Sequence, residues 1–134
     1  MADDCIFCKI IAGELPSQKV YEDAETCAFM DIAPGTRGHL LVVPRRHAKD
    51  VLEITPESFA AVARTAKLMA ERVEERLSPD GINLYNACRA AAGQTVFHLH
   101  VHVIPRYAAD DVRLPWTPAP GDPDEIAAVA AQLR

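Results

Sequence analysis

Nine consecutive residues constrain this chain more than any other stretch: Val96-Phe97-His98-Leu99-His100-Val101-His102-Val103-Ile104. Apolar and imidazole side chains alternate with a period of two, the period at which successive side chains of a β-strand point to opposite faces. The spacing predicts a strand over 96–104. Phe97, Leu99, Val101 and Val103 are expected on one face, packed on a core helix, and His98, His100 and His102 on the other. Three of the five histidines are thereby lined up. Residues two apart are separated by about 6.5–7 Å along a strand, so two of the imidazoles could converge on one metal ion. The outer pair are about 13 Å apart at the backbone, which makes a single ion shared by all three awkward. Two bland readings stand beside a chemical one: a solvated strand face that happens to hold histidines, or a plain metal site. Strict alternation weighs against the first, and the geometry leaves at least one imidazole free under the second.

The rest of the chain supplies elements for such a strand to pair with. Short apolar runs predict strands over 19–22, 26–32, 38–43 and 82–85, with the turn Asp23-Ala24-Glu25 between the first two and Pro44 closing the third. Ile6, Phe7, Ile10 and Ile11 give a short helix over 5–12, ended by Gly13 and kept from resuming by Pro16. Thr55 and Pro56 are a good N-cap and first position for a long helix. Phe59, Val62, Ala66, Met69, Val73 and Leu77 form its apolar face, and Ser78-Pro79-Asp80-Gly81 stops it. A last short helix is expected at about 124–133 from Ile126, Val129, Ala130 and Leu133. Strands that cluster with short connections around one long crossing helix define an α+β domain, an antiparallel sheet with helices packed on it. Residues 1–107 hold these elements. Residues 108–134, with Trp116 among four prolines, are expected to be a tail of the same unit, its aromatic anchored on the surface.

Length and charge exclude some roles. A chain of 134 residues is one domain, long enough to bury a core without disulfides. The net charge of −5 argues against a nucleic-acid-binding face, and any phosphate must be held by local donors. No apolar stretch approaches 18 residues, so no membrane association is expected. Met1-Ala2-Asp3-Asp4 is acidic and opens no signal-type run, so a cytoplasmic home is expected. In that compartment Cys5-x-x-Cys8 points to metal or redox chemistry rather than a structural disulfide, while Cys27 and Cys88 read as small core residues.

Phosphorus chemistry suits a row of imidazoles. Near pH 7 neutral and protonated imidazole coexist. A neutral ring can displace a leaving group from phosphorus to give a covalent nucleotidyl-histidine, and its neighbours can donate to the non-bridging oxygens. Directly upstream, Gly93-Gln94-Thr95 offers backbone amides, a carboxamide and a hydroxyl beside a glycine that lets a phosphate approach closely.

With these residues in view, the sequence resembles the histidine triad family. The resemblance runs from Cys5-Ile6-Phe7-Cys8-Lys9-Ile10-Ile11 through Phe29-Met30-Asp31-Ile32-Ala33-Pro34 and Gly38-His39-Leu40-Leu41-Val42-Val43-Pro44-Arg45-Arg46-His47 to Gly93–Ile104, covering about residues 5–107. It implies a five-stranded antiparallel sheet with one long and one short helix per protomer. It also implies a two-fold homodimer whose sheets join into one of ten strands. By position, His100 takes the nucleophile's role and His102 binds the attacked phosphate, with His39 and His98 in support. Gly93, Gln94 and Thr95 match the phosphate loop, with Thr95 near the leaving group. Asp31 matches the carboxylate on the ribose hydroxyls. Ile6, Phe7, Ile10, Phe29 and Ile32 match the walls of a purine base slot for an AMP- or GMP-like ligand, although all five could equally be core. The family's usual amide seven residues before the loop glutamine is replaced by Ala87, with Asn86 beside it as a substitute.

Cys5-x-x-Cys8 has the spacing of a zinc half-site and His47 is a candidate third ligand. Bacterial-type members that the sequence resembles add the first triad histidine. This implies a structural Zn²⁺ on Cys5, Cys8, His47 and His98. The implied activity is hydrolysis or transfer at the α-phosphate, nucleoside phosphoramidase-like. The alternatives are a dinucleoside polyphosphate hydrolase and a purine nucleotide-binding module with incidental turnover.

Overall fold

In a computed structural model the structure describes residues 4–113 and 115–134. Met1 to Asp3, on which the expectation about the N-terminus partly rests, and Leu114 lie outside the described residues. In chain order the elements are α1 (Ile6–Ile11), β1 (Lys19–Glu22), β2 (Thr26–Met30), β3 (Leu40–Pro44), α2 (Pro56–Leu77), β4 (Gly81–Tyr85), β5 (Val101–Arg106) and α3 (Pro123–Leu133), with a 3₁₀ turn at Ala90–Ala92. The five strands form one sheet in the order β1-β2-β3-β5-β4, antiparallel throughout. Among the described residues there are three helices, one long and two shorter, where the resemblance implied one long and one short. The third, α3, has no buried residue.

Strand pleating sorts the core into two layers. In β2, Thr26 and Ala28 face one way while Cys27 and Phe29 face the other. In β3, Leu40 and Val42 oppose Leu41 and Val43 in the same manner. Ala28, Leu40, Val42, Leu99, Val101 and Val103 pack against Val62, Ala66, Met69 and Val73 of α2. Cys27, Phe29, Leu41 and Val43 pack instead with Cys5 and Phe7 around α1. The central strand β3 is therefore buried along its whole length, which its unbroken apolar run Leu-Leu-Val-Val reflects.

Local chemistry sets the element ends. The Thr55 side chain accepts from the Ser58 amide, and Pro56 opens α2. Gly38 brings the chain into β3 at φ +94°, a conformation strained for any other residue, and a Cβ there would also crowd Leu77 and Pro105.

The histidine segment departs from the expected strand. β5 begins at Val101, because the Leu99 amide donates to the Ala48 carbonyl at 2.7 Å instead of joining a ladder. It runs on through Pro105, where β3 has already ended and Thr36 Oγ1 donates to the proline carbonyl. The alternation of faces holds for 98–103, with Leu99, Val101 and Val103 under α2. Phe97 does not share that face. The chain bends over 96–98 and leaves its ring 52% exposed.

Candidate active site

The side of the sheet away from α2 carries the chemistry. Cys5, the N-cap of α1, and Cys8, one turn along it, bring their thiols beside His47, just past β3, and His98, just before β5. His98 Nδ1 lies 3.4 Å from Cys5 Sγ, 3.5 Å from Cys8 Sγ and 3.1 Å from His47 Nδ1, and Cys8 Sγ lies 3.5 Å from His47 Nδ1. Around an ion with ligand bonds of 2.0–2.3 Å, the edges of a tetrahedron are roughly 3.3–3.8 Å, so the four atoms nearly outline a zinc shell. His98 Nε2 donates to the Pro44 carbonyl at 2.8 Å, which fixes the tautomer and leaves Nδ1 as the lone-pair donor. The Cys8 amide in turn donates to Cys5 Sγ. These residues form a Cys₂His₂ cluster able to coordinate a metal ion.

His98 also reaches the next histidine. Its backbone carbonyl accepts from His100 Nδ1 at 2.8 Å. That bond places the ring proton on Nδ1 and leaves Nε2 unprotonated, without a hydrogen-bond partner among the described residues. His100 is buried, and the edge of its ring packs on Phe7 with centroids 5.1 Å apart. Burial pushes its imidazole below the usual histidine range, which the His98 carbonyl and the Asp31 charge partly offset. The Asn86 side-chain amide donates to the His100 carbonyl at 3.0 Å, holding the backbone of this residue from the β4 side.

His102 has a different set of neighbours. The Gly35 amide donates to His39 Nδ1 at 2.9 Å, so the proton of neutral His39 sits on Nε2. From there it points at His102 Nδ1, 2.9 Å away, with Asp31 Oδ2 at 3.4 Å. His102 must then carry its own proton on Nε2, as a donor. Burial pushes His102 down to about 4, with His100 and His39 adding to the shift and Asp31 opposing it. His39 is lowered by burial against the Asp31 charge. His39 therefore bears on His102 rather than on His100, and His98 supports His100 through its carbonyl oxygen.

His100 and His102 open into a cavity of about 360 Å³, walled by Phe7, Phe29, Leu41 and Ile10 and rimmed by Asp31 and Thr95. Phe7 and Phe29 are at once core and wall, their rings edge to face at 5.3 Å. Ile6 is 46% and Ile32 97% exposed, so both belong to the rim rather than the core. Leu15, Pro16 and Ser17 complete it. They follow a helix end, and no spacing in the sequence marked them.

The loop before the histidines uses its polar groups unevenly. Gln94 is buried: Oε1 accepts from the Arg89 amide at 2.7 Å, and Nε2 donates to the carbonyls of Lys49 and Val96. The Gly93 and Gln94 amides are taken by Ala90 and Arg89. Thr95 alone keeps an amide and a hydroxyl with no partner among the described residues, at the cavity edge. Ala87 is buried and offers no side-chain amide. The signals that sequence reading missed, the Pro44 carbonyl and the Gly35 amide, are backbone groups that no side-chain pattern encodes.

The HIT domain family matches residues 12–109. Protein hit of Bacillus subtilis (strain 168) is 46% identical over 110 residues, which span 82% of this chain and 76% of that protein. The crystal structure of SMU.412c from Streptococcus mutans UA159 superposes with a TM-score of 0.94 at 38% identity, covering 99% of this chain and 85% of that one. A Zn-bound histidine triad family protein from Mycobacterium smegmatis superposes with a TM-score of 0.79 at 38% identity, covering 97% and 95%. The chain belongs to the HIT, or histidine triad, family, on its bacterial Hint-like side. The family's general chemistry is nucleotidyl hydrolysis or transfer through a histidine. Among the described residues no helix is long and apolar enough to cross a membrane.

Proposed function

We propose that this protein is a nucleotide hydrolase or transferase in which His100 Nε2 attacks the α-phosphorus of a purine nucleotide conjugate. The N–P bond forms as the bond to the leaving group breaks, and the leaving group takes up a proton from solvent. In the second step the oxygen of water bonds to phosphorus as the N–P bond breaks, the proton of that water passes to solvent, and the electron pair returns to Nε2 of the imidazole. One observation carries this reading. The His98 carbonyl holds the proton of His100 on Nδ1, so the other nitrogen is a free nucleophile at the cavity. His102 Nε2–H, fixed as a donor by the Gly35–His39 chain, suits a non-bridging phosphate oxygen. The apolar cavity suits a purine, and Asp31 at its rim suits ribose hydroxyls.

Zinc on Cys5, Cys8, His47 and His98 would be structural, since four protein ligands close a tetrahedral shell and leave no position for water. β4 is an edge strand with Leu84 and Tyr85 exposed, which supports a homodimer joining two sheets into one of ten strands.

The first substrate class to test is the nucleoside phosphoramidates, with dinucleoside polyphosphates second. His100→Ala is expected to lower kcat/KM on adenosine phosphoramidate by about 10⁴-fold. The native protein, quenched during turnover, is expected to yield a nucleotidyl adduct on His100 by peptide mass spectrometry. Unchanged turnover in His100→Ala would remove the nucleophile assignment and leave a purine nucleotide-binding module.

A further inference from the structure

β4 is an edge strand, and an exposed tyrosine at its end would ordinarily be a surface residue. The contacts of Tyr85 point inward instead. It pairs with His102 across the β4–β5 ladder, so the two side chains share a face of the sheet. Their rings meet with centroids 5.4 Å apart. His102 therefore has His39 against it from the β3 side, at a centroid distance of 5.1 Å, and Tyr85 from the β4 side. The His39 bond fixes which nitrogen of His102 carries the proton. A single hydrogen bond leaves a ring free to tilt about it, and the Tyr85 ring packed alongside limits that tilt.

The other end of Tyr85 reaches the phosphate loop. Its hydroxyl donates to the Ala92 carbonyl at 2.9 Å, at the end of the 3₁₀ turn. A Cβ on Gly93 would lie 3.3 Å from the same hydroxyl oxygen, so the loop rests closely on the tyrosine. The backbone bonds of the turn close within the loop itself, between Ala92 and Arg89, Gly93 and Ala90, and Gln94 and Arg89. Among the described residues the Tyr85 hydroxyl is the group that ties the Ala90–Ala92 turn to the sheet. Thr95, with its two donors at the cavity edge, follows directly on this loop. One side chain thus joins the ring of His102 to the loop that carries Thr95. No pattern in the sequence marked it, because its two partners lie on another strand and beyond a turn.

We infer that Tyr85 is a positioning residue for the proposed transfer. Its ring holds the His102 imidazole at the angle at which Nε2–H meets the phosphate, and its hydroxyl sets the distance between that donor and the loop carrying Thr95. The inference rests on the nucleotidyl-transfer reading above. Tyr85 does not line the cavity, so it acts through these two groups and not on the substrate. The phosphate oxygens gain charge as His100 Nε2 bonds to phosphorus, and a donor contributes most when it is already aimed at where that charge develops. A misaimed donor lowers the rate of the bound complex more than its affinity, and a displacement of about 1 Å can cost on the order of 10²-fold.

The test makes Tyr85→Leu and Tyr85→Phe in the full-length protein, each alone and each combined with His102→Ala. The substrate is adenosine phosphoramidate, or diadenosine tetraphosphate if that is cleaved faster. Tyr85→Leu is expected to lower kcat about 30-fold and Tyr85→Phe, which keeps the ring, about three-fold, both with KM within about two-fold. In the His102→Ala background the difference between the two substitutions is expected to vanish, because the ring then has no imidazole to aim. Damage to the fold or to the edge strand would persist in that background, so equal losses with and without His102 overturn the inference. A loss carried by KM overturns it too, as does Tyr85→Phe proving as slow as Tyr85→Leu. In each of these cases a native protein that forms the adduct on His100 keeps the catalytic reading. A native protein that cleaves neither substrate removes both.

Discussion

Under α2, a helix of 22 residues, Val42, Leu99 and Val103 are buried against Val62 and Met69 of the helix, all five at 1% exposure or less. On the opposite face the sheet buries His39, and buries His98 and His100 against Phe7 of α1, a helix of six. The first face is stabilised by the usual currency of apolar burial, about 1.5–3 kcal/mol per large side chain. The second buries imidazoles, which cost free energy unless each is hydrogen-bonded, beneath a helix too short to hold its own shape in water. Each of those imidazoles has a partner: Gly35 and His102 for His39, Pro44 for His98, and the His98 carbonyl for His100. Among the described residues no side-chain nitrogen or oxygen that is itself sealed from solvent lacks one; His100 Nε2 opens to the cavity. The difference teaches that one face supplies the scaffold, while the other holds its reactive groups by directed bonds and, on the reading proposed here, by a metal ion.

The largest effect is expected from cutting the pin of the weaker face. Cys5→Ser removes one thiol of the metal cluster while leaving a hydroxyl that can still cap α1. Structural zinc is worth on the order of 10 kcal/mol in domains that depend on it. Here the α2 face remains, so a loss of several kcal/mol is expected, with loss of zinc by elemental analysis and early hydrogen exchange confined to α1. Global unfolding in step with metal loss would show instead that the two faces are not separable.

Met69→Ala attacks the opposite face. Truncating a fully buried methionine is expected to cost about 2–5 kcal/mol in urea denaturation. Turnover by the folded fraction should be unchanged, because Met69 packs in the α2-side core with Leu99, Val101 and Val103, whose side chains alternate with those of His98, His100 and His102. A fall in kcat at a denaturant-free, fully folded state would mean that the sheet transmits strain between its faces.

A smaller effect comes from pH. His102 titrates at about 4 when folded and near 6.5 when unfolded. The unfolded chain binds the extra proton between those values, so stability is full above about 6.5 and falls as pH drops toward 4. From this residue alone, the unfolding free energy is expected to be about 2 kcal/mol lower at pH 5 than at pH 7. His102→Asn should flatten that slope, and an unaltered slope would place the titration elsewhere.

Much of this was legible in the chain itself. The long helix could be read from Thr55-Pro56 and its periodic apolar residues, and four strands fall within a few residues of where alternation and turn residues put them. Cys5, Cys8 and His47 stand out by spacing and residue type. The ends of the histidine strand were not legible, because Leu99 bonds to Ala48, a partner 51 positions away whose approach depends on the whole loop after β3. Gln94 was read as a phosphate contact from its place in the loop, but its carboxamide turns inward to Lys49, Val96 and Arg89. Asn86, the substitute for the amide missing at Ala87, spends its own amide on the His100 backbone.

Sequence alone determined that three imidazoles alternate with apolar residues, and so that His98, His100 and His102 share a side of the chain, because side-chain direction along extended backbone is a local property. What each imidazole does was decided only by tertiary contacts. His98 is turned to a metal cluster by Pro44, His100 is left with a free Nε2 by the carbonyl behind it, and His102 is made a donor by His39. A histidine's role depends on which nitrogen holds the proton, and that is set by hydrogen-bond partners the fold brings from elsewhere in the chain.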